Sequence, residues 1–233
     1  MAAALAVVVA FWGQDGHTTP VTPITETTAV TSTSVVDATP QKNDSRPKSA
    51  RSKFLTVPVT GQSVAVVVDA DSAMWERLDG VAILTEAFAI QMQAKGRSVG
   101  VALATENDPA VVETQPTLEL TTAAMRSTIY GRFARGETDL VAAASVGSAW
   151  RPDELFLVFG RRLDPGLIEA IAQKIQQSGA VTHVVALGAA RDQDLSALLA
   201  GVQGEIHKLS DDQLLSLARL TRAATLNDGL PRK

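Results

Sequence analysis

The sequence feature that most constrains the fold is an apolar run, Val64–Val68, which ends abruptly at Asp69. Valine favours β-strands, and a run without polar residues is typical of a strand that is buried on both faces. A small acidic loop follows, and apolar residues then recur at helical spacing from Met74 to Ala94. This order predicts a strand, a loop and a helix of an open α/β sheet, in which ligands bind outside the carboxyl ends of the strands. Asp69 therefore marks the expected functional edge.

Strand and helix patterns alternate along the rest of the chain. Val111–Leu120 is ambiguous and contains a candidate edge strand. The other predicted strands are Val99–Ala104, Leu155–Phe159, Val181–Leu187 and Glu205–Leu209, and the other predicted helices are Thr121–Phe133, Asp139–Ala149, Pro165–Gln177, Gln193–Ala200 and Asp211–Arg222. Strands separated by helices pair in parallel through right-handed crossovers. The sequence thus predicts an α/β fold, a doubly wound, mostly parallel sheet of Rossmann-like type with helices on both faces.

The N-terminal region predicts a location outside the cytoplasm. Ala2–Trp12 is an apolar run of 11 residues, shorter than the roughly 20 residues that a membrane-spanning helix needs. It fits a signal-peptide core, the end of a longer membrane anchor, or an apolar tail without a partner. Residues 14–53, rich in Thr, Ser and Pro, are predicted to form a disordered linker. We expect one domain at residues 54–224, a flexible tail at 225–233, and a protein that is membrane-anchored or exported.

Composition and motifs exclude several functions. The net charge of -4 argues against nucleic-acid binding. Cysteine is absent, which removes disulfides, thiolate metal sites and cysteine nucleophiles. The sequence contains neither a glycine-rich nucleotide-binding motif nor the G-x-S-x-G elbow of hydrolases. The three histidines, His17, His183 and His207, lack the spacing of metal ligands, and His183 is interpreted as a strand residue with a local partner. No motif supports an enzyme.

Four segments, in the same order, resemble the von Willebrand factor type A (vWA) family in its bacterial form. Asp69-x-Asp71-x-Ala73-Met74 is similar to the first-loop pattern D-x-S-x-S-M. The others are Gly136-Glu137-Thr138-Asp139-Leu140, similar to G-G-T-[DP]-L; Arg151–Val158, similar to R-P-D-x-I-F-L-L; and His183–Gly188 with the residues up to Gly204, similar to the closing strand, helix and strand. The resemblance covers roughly residues 54–222. It implies the vWA fold.

The resemblance also implies a metal-ion-dependent adhesion site, here in degenerate form. Asp69 matches the first-loop aspartate and Thr138 the second-loop threonine of that site. Asp71 and Ala73 stand where the two serines are expected. The position of the third-loop aspartate is taken by Gly160, and the positively charged Arg161 and Arg162 follow it directly. We expect Asp69 and Asp71 to cap their loop and to pair with Arg161, so that no cofactor binds; a weak Mg²⁺ or Ca²⁺ site at Asp69, Asp71 and Thr138 is the alternative.

The expected function is non-enzymatic binding of a protein partner through the loops at the carboxyl ends of the strands. The candidate ligand-binding residues are Asp69, Asp71, Trp75, Thr138, Arg161 and Arg162. Trp75 and Trp150 are candidates for a recognition surface, although each is also placed to cover the end of a helix. An alternative from another class is an α/β enzyme that binds a small anion, with Arg161 and Arg162 as its clamp.

Overall fold

The computed structural model describes residues 52–105, 111–118 and 136–228. The predicted helix Thr121–Phe133, the N-terminal apolar run and the linker lie outside these residues. The strands are β1 Ser52–Phe54, β2 Val57–Val59, β3 Ser63–Asp69, β4 Ser98–Ala104, β5 Val111–Thr117, β6 Glu154–Phe159, β7 Val181–Ala186 and β8 Gly204–Lys208; the helices are α1 Leu78–Gln93, α2 Leu140–Ala149, α3 Pro165–Ser178 and α4 Asp211–Asp228; and 3₁₀ turns span Ser72–Met74, Gly188–Asp192 and Ser196–Leu199.

A six-stranded sheet forms the centre, in the order β5-β4-β3-β6-β7-β8. Five of its strands are parallel, and β5 joins the edge antiparallel to β4. This order is that of doubly wound folds, and it reverses between β3 and β6. The predicted fold class is confirmed, as is the edge strand within Val111–Leu120. Pro116 lies in β5, as expected for an edge strand, because proline cannot donate a hydrogen bond to a second neighbour.

The sheet is covered on both faces, which explains the continuous apolar run of β3. Val64, Val66 and Val68 belong to a core with α1, α4 and the β1–β2 hairpin. Ala65 and Val67 belong to a second core with α2 and α3. In the first core the ring of Phe54 lies 5.0 Å from that of Phe88 and 4.9 Å from that of Phe156.

Side chains and backbone signals mark the ends of two helices. The carboxylate of Asp164 accepts a hydrogen bond of 2.8 Å from the backbone N–H of Leu167 at the start of α3. Pro165 is the first residue of that helix, and Gly179 ends it with a left-handed φ of 69°. Asp139 caps α2 in the same way, with a bond of 2.8 Å from the N–H of Ala142.

Three predicted helices differ from the structure. The helix after β3 begins at Leu78 rather than Met74, because Ser72–Met74 forms a 3₁₀ turn. The carbonyl of Ala73, which a continuous helix would pair with the N–H of Arg77, accepts the guanidinium of Arg77 instead, and that N–H bonds to the Met74 carbonyl.

The predicted helix Gln193–Ala200 is wrong, since only the turn Ser196–Leu199 forms there. The side chain of Asp194 accepts a bond from the N–H of Ser196, and the amide of Gln193 bonds to both backbone groups of Leu163. Such side-chain bonds compete with helix formation. At the other end of the chain, α4 continues to Asp228, past the predicted end at Arg222. Among the described residues, helices long and apolar enough to cross a bilayer are absent.

Candidate functional site

The candidate site lies at the carboxyl ends of β3 and β6, where the strand order reverses. Asp69 is the last residue of β3, and Arg161 follows β6 by two residues. Asp71 lies in the loop after β3, and Thr138 precedes α2. We call Asp69 and Asp71 the acidic pair. The structure brings the acidic pair, Thr138 and Arg161 together, whereas their sequence positions are up to 92 residues apart.

Arg161 occupies the centre of this arrangement. Its Nε lies 3.1 Å from Oδ2 of Asp69 and 3.6 Å from Oδ2 of Asp71. Its Nη2 donates a bond of 3.0 Å to the carbonyl of Thr138. The hydroxyl of Thr138 in turn donates to Oδ1 of Asp69. The predicted pairing of the acidic pair with Arg161 is confirmed, and both oxygens of Asp69 are engaged.

Burial dominates the electrostatics of the acidic pair. Asp69 is fully buried and Asp71 is 4% exposed. Burial and the neighbouring Asp71 raise the pKa of Asp69 to about 6, against the opposing effects of Thr138 and Arg161. Burial also raises the pKa of Asp71, and Arg161 opposes this shift. The site is therefore a buried acidic pair whose negative charge is partly balanced from within by one guanidinium.

The raised pKa of Asp69 predicts that its contribution to stability depends on pH. The folded-state pKa of about 6 exceeds 3.8, the ordinary pKa of an aspartate side chain. The folded state therefore binds more protons than the unfolded state between these two values. The contribution of Asp69 is present below the lower value and is lost as the pH rises through about 6. We expect the free energy of unfolding of the wild type, relative to Asp69→Asn, to fall by about 3 kcal/mol between acidic pH and pH 8.

Urea unfolding over this pH range measures that difference. Asp212→Asn is the control, since Asp212 is an exposed residue of α4, and it should leave the pH profile of the wild type unchanged. A constant difference between wild type and Asp69→Asn across the range would contradict the assignment.

Further contacts hold the loop after β3 in place. The N–H of Ser72 bonds to the carbonyl of Gly136, which ties this loop to the segment before α2. Arg77 makes two hydrogen bonds, of 2.7 and 2.6 Å, to the carboxylate of Asp211 at the start of α4. These bonds raise the pKa of Arg77 and lower that of Asp211. The sequence analysis did not identify this pair, because the two residues lie 134 positions apart and neither belongs to a motif.

The donor set does not fit a hydrated divalent cation of the vWA kind. Mg²⁺ requires near-octahedral oxygen ligands, and Ala73 supplies no side-chain oxygen. A Cβ added at Gly160 would lie 2.9 Å from Sδ of Met74 and 3.3 Å from the carbonyl oxygen of Ala73. The loop is thus closed over the position where the third-loop aspartate is expected, and Arg161 places a fixed positive charge beside Asp69.

The remaining predicted residues lie at different places. Trp75 follows the turn Ser72–Met74 and is 59% exposed, and Arg162 is exposed next to Arg161. Trp150 lies at the other end of α2, half-buried against the second core. A Cβ added at Gly100, near the start of β4, would meet its ring at 2.9 Å. Trp150 therefore covers a helix end and is not part of the site.

Comparison with known proteins adds a set of structural similarities. Neither a family sequence profile nor a curated protein sequence matches the chain. The VWA domain of SpRpn10 is 13% identical to this chain, and the match covers 69% of this chain and 95% of that chain with a TM-score of 0.49. The vWF domain of Mfa5, the type V pili tip protein of Porphyromonas gingivalis, is 12% identical, and the match covers 75% of this chain and 98% of that chain with a TM-score of 0.49. Proximal thread matrix protein 1 from the mussel byssus is 16% identical, and the match covers 71% of this chain and 47% of that chain with a TM-score of 0.47. The chain is thus similar to vWA domains in fold, at identities and TM-scores that do not establish membership of that family.

Proposed function

We propose that this chain is a non-enzymatic binding domain that recognises a protein partner through the loops at the carboxyl ends of β3 and β6, without a metal ion. The observation that carries the proposal is the 59% exposure of Trp75 on the loop that leaves β3. Large aromatic residues and arginines are enriched among the residues that dominate protein interfaces. Trp75 therefore supplies an apolar anchor, and the neighbouring strand end supplies the exposed guanidinium of Arg162.

The other candidate residues have a supporting role in this proposal. Asp69 is fully buried, so it cannot contact a partner and instead fixes Arg161 and Thr138. Arg161 and Thr138 are both partly buried and form the floor beneath the exposed residues. Because Arg161 places a positive charge between the two acids, a bound cation is not required to hold the loop beneath the exposed residues. This is the physical basis for metal independence.

A photo-crosslinking experiment tests the location of the surface. A photoreactive phenylalanine analogue is placed at position 75 of the full chain, and a matched chain carries it at position 220, since Leu220 is a 70% exposed apolar residue on α4. We expect a protein from the source cells to crosslink at position 75 and not at position 220. Equal crosslinking at both positions would contradict the proposal.

The affinity of the protein identified in this way provides the quantitative test. We expect Trp75→Ala to weaken binding by at least about 2 kcal/mol, or roughly thirtyfold in Kd, as for other central tryptophans. Leu220→Ala is the matched control and should bind like the wild type. Chelation of divalent cations should leave the Kd of the wild type unchanged. Binding that disappears on chelation would refute metal independence, and an unchanged Kd in Trp75→Ala would refute the surface.

Two alternatives are separated by titration of the same protein. In the first, a weak Mg²⁺ or Ca²⁺ site remains; it is favoured by Oδ1 of Asp71, which is buried and accepts no hydrogen bond from the described residues. Calorimetry with Mg²⁺ or Ca²⁺ would then show saturable binding that Asp69→Ala abolishes.

In the second alternative, the protein is an enzyme that holds a small anion. Phosphate binding that disappears in Arg162→Ala would favour it. Our proposal expects neither signal.

We also propose that the domain is held at a membrane or exported, on the basis of the apolar run Ala2–Trp12. In this proposal the domain meets its partner outside the cytoplasm. Cell fractionation tests this: the chain should appear in the membrane or extracytoplasmic fraction. A cytoplasmic pool with an intact Met1 would contradict it.

A further inference from the structure

A second group of chemically active side chains lies on β7 and β8, away from the acidic pair. In the parallel register of β7 and β8, His183 lies opposite Glu205, and Val185 lies opposite His207. Since alternate residues of a strand share a face, His183, Glu205 and His207 project from the same side of the sheet. We call these three residues the histidine cluster. The sequence analysis missed it because the two histidines come from different strands.

The distances within the histidine cluster match those of a metal site. One ligand atom from each residue can be chosen so that all three lie within 4.8 Å of one another. Nδ1 of His183 is 3.3 Å from Nε2 of His207, and Oε2 of Glu205 is 3.8 Å from the same Nε2. Two nitrogens bound tetrahedrally to zinc at 2.0–2.1 Å are themselves about 3.3 Å apart. The separation of these two nitrogens is therefore that of two imidazoles that share one ion.

A buried carboxylate fixes the orientation of His183. Oε2 of Glu154 lies 3.5 Å from Nε2 of His183, and it is buried without a hydrogen bond within normal geometry from the described residues. The other oxygen of Glu154 accepts bonds from both Thr60 donors and from the N–H of Gly61, at 2.6–2.8 Å. The ring of Phe156 stacks on that of His183 at 4.7 Å. A carboxylate that faces one ring nitrogen favours the proton on that nitrogen and leaves the other free as a ligand, as is usual for metal-binding histidines.

The cluster also offers a route for an ion and room for an additional ligand. His183 is buried, His207 is half-buried, and the side chain of Glu205 is 74% exposed. Without an ion, the same 3.3 Å separation is a hydrogen bond between the two rings, so the protein has a stable state in either case.

We propose that His183, Glu205 and His207 bind a divalent transition-metal ion of the zinc class, with Glu154 as the residue that positions His183. Two imidazoles and one carboxylate form a ligand set that zinc accepts with water in the fourth position. The ion would join β8, the strand at one edge of the sheet, to β7. This site is independent of the proposed protein-binding surface, and the two can fail separately.

Calorimetric titration of the chelator-treated full chain with ZnCl₂ tests the site. We expect one Zn²⁺ per chain, and Co²⁺ should give the visible absorption of a tetrahedral complex at the same stoichiometry. His207→Gln should abolish saturable binding, and Glu205→Gln, at an exposed position that is safe for folding, should weaken it at least about tenfold. Glu154→Gln should weaken it by about 10–100-fold, as for other residues that support a ligand. Circular dichroism checks that each variant is folded.

His17→Gln is the matched control, because it removes a histidine that lies outside the described residues, and it should bind Zn²⁺ like the wild type. A wild type without saturable binding would overturn the proposal. So would unchanged affinity in folded His207→Gln and Glu205→Gln, or an equal loss in His17→Gln.

Discussion

Replacing Arg161 with methionine is expected to lower the free energy of unfolding by about 3–5 kcal/mol at pH 8, because it leaves the buried acidic pair without its cation. Nε of Arg161 is 3.1 Å from Asp69 and 3.6 Å from Asp71, and its own side chain is only 20% exposed. Methionine keeps the apolar length of the side chain, so the loss reports on charge and hydrogen bonding more than on packing.

The effect of Arg161→Met should depend strongly on pH. Burial already raises the pKa of Asp69 to about 6 with Arg161 present, and loss of the guanidinium raises it further. At pH 5 Asp69 is then protonated, and the penalty should shrink to about 1 kcal/mol, the cost of lost hydrogen bonds. Urea unfolding of wild type and variant at both pH values measures this difference.

Arg162→Met is the control for this experiment, since it removes the same charge one residue away at an exposed position. Its effect should stay within about 0.5 kcal/mol at both pH values. If the two variants were equally stable at pH 8, Arg161 would not be the internal cation of the site.

The second large effect is expected for Glu154→Ala, at about 3–5 kcal/mol near neutral pH. Glu154 is 3% exposed, and one of its oxygens accepts three hydrogen bonds from Thr60 and Gly61. Bonds to a charged acceptor contribute about 1.5–3 kcal/mol each and do not add fully. The substitution leaves these donors without their acceptor and removes the side-chain link between Thr60, Gly61 and the start of β6, while the bonds of Asp153 to Gln62 and Ser63 remain.

Glu154→Ala also has a predicted pH profile. Burial would raise the pKa of Glu154, but His183, Thr60 and Gly61 together lower it to about 2. This folded-state pKa lies below 4.5, the ordinary pKa of a glutamate side chain. The contribution of Glu154 to stability is therefore complete above pH 4.5 and is lost as the pH falls through about 2. The stability gap between wild type and variant should therefore narrow in acid.

Chemical unfolding at several pH values measures this gap, with Glu169→Ala, at an exposed position on α3, as the control. The control should differ from the wild type by no more than about 0.5 kcal/mol. A loss below about 1 kcal/mol in Glu154→Ala would show that other acceptors replace the carboxylate.

The fold could be predicted from the sequence where local patterns and burial agree. The valine run of β3 and the Pro165 and Gly179 signals of α3 are local, and each predicted its element. The start of α1 was not predictable from the sequence. The Ala73 carbonyl accepts a hydrogen bond from the guanidinium of Arg77, and this guanidinium is held by Asp211, which lies 134 positions further along the chain. Local propensity contains no information about such a contact.

In the candidate site, too, some features could be predicted from the sequence and others depend on contacts between distant residues. The order of motifs placed Asp69, Thr138 and Arg161 at adjoining strand ends, and their contacts follow from that order. The exposure of Trp75 and the burial of Trp150 depend on the direction in which each helix runs, and so they needed the structure. The pairing of His183 with His207 depends on the register of β7 against β8, which the histidine spacing alone cannot supply.

The glycine at position 160 limits how a cation site could be built at these strand ends. An aspartate introduced there alone would meet Met74 and the Ala73 carbonyl, and its carboxylate would join two buried acids that share a single guanidinium. Removing Arg161 first would instead leave those acids without a counter-charge. Each of these single substitutions toward a cation site is thus expected to give a less stable protein, so building such a site would need both changes together. Substitutions at the exposed Arg162 do not meet this constraint.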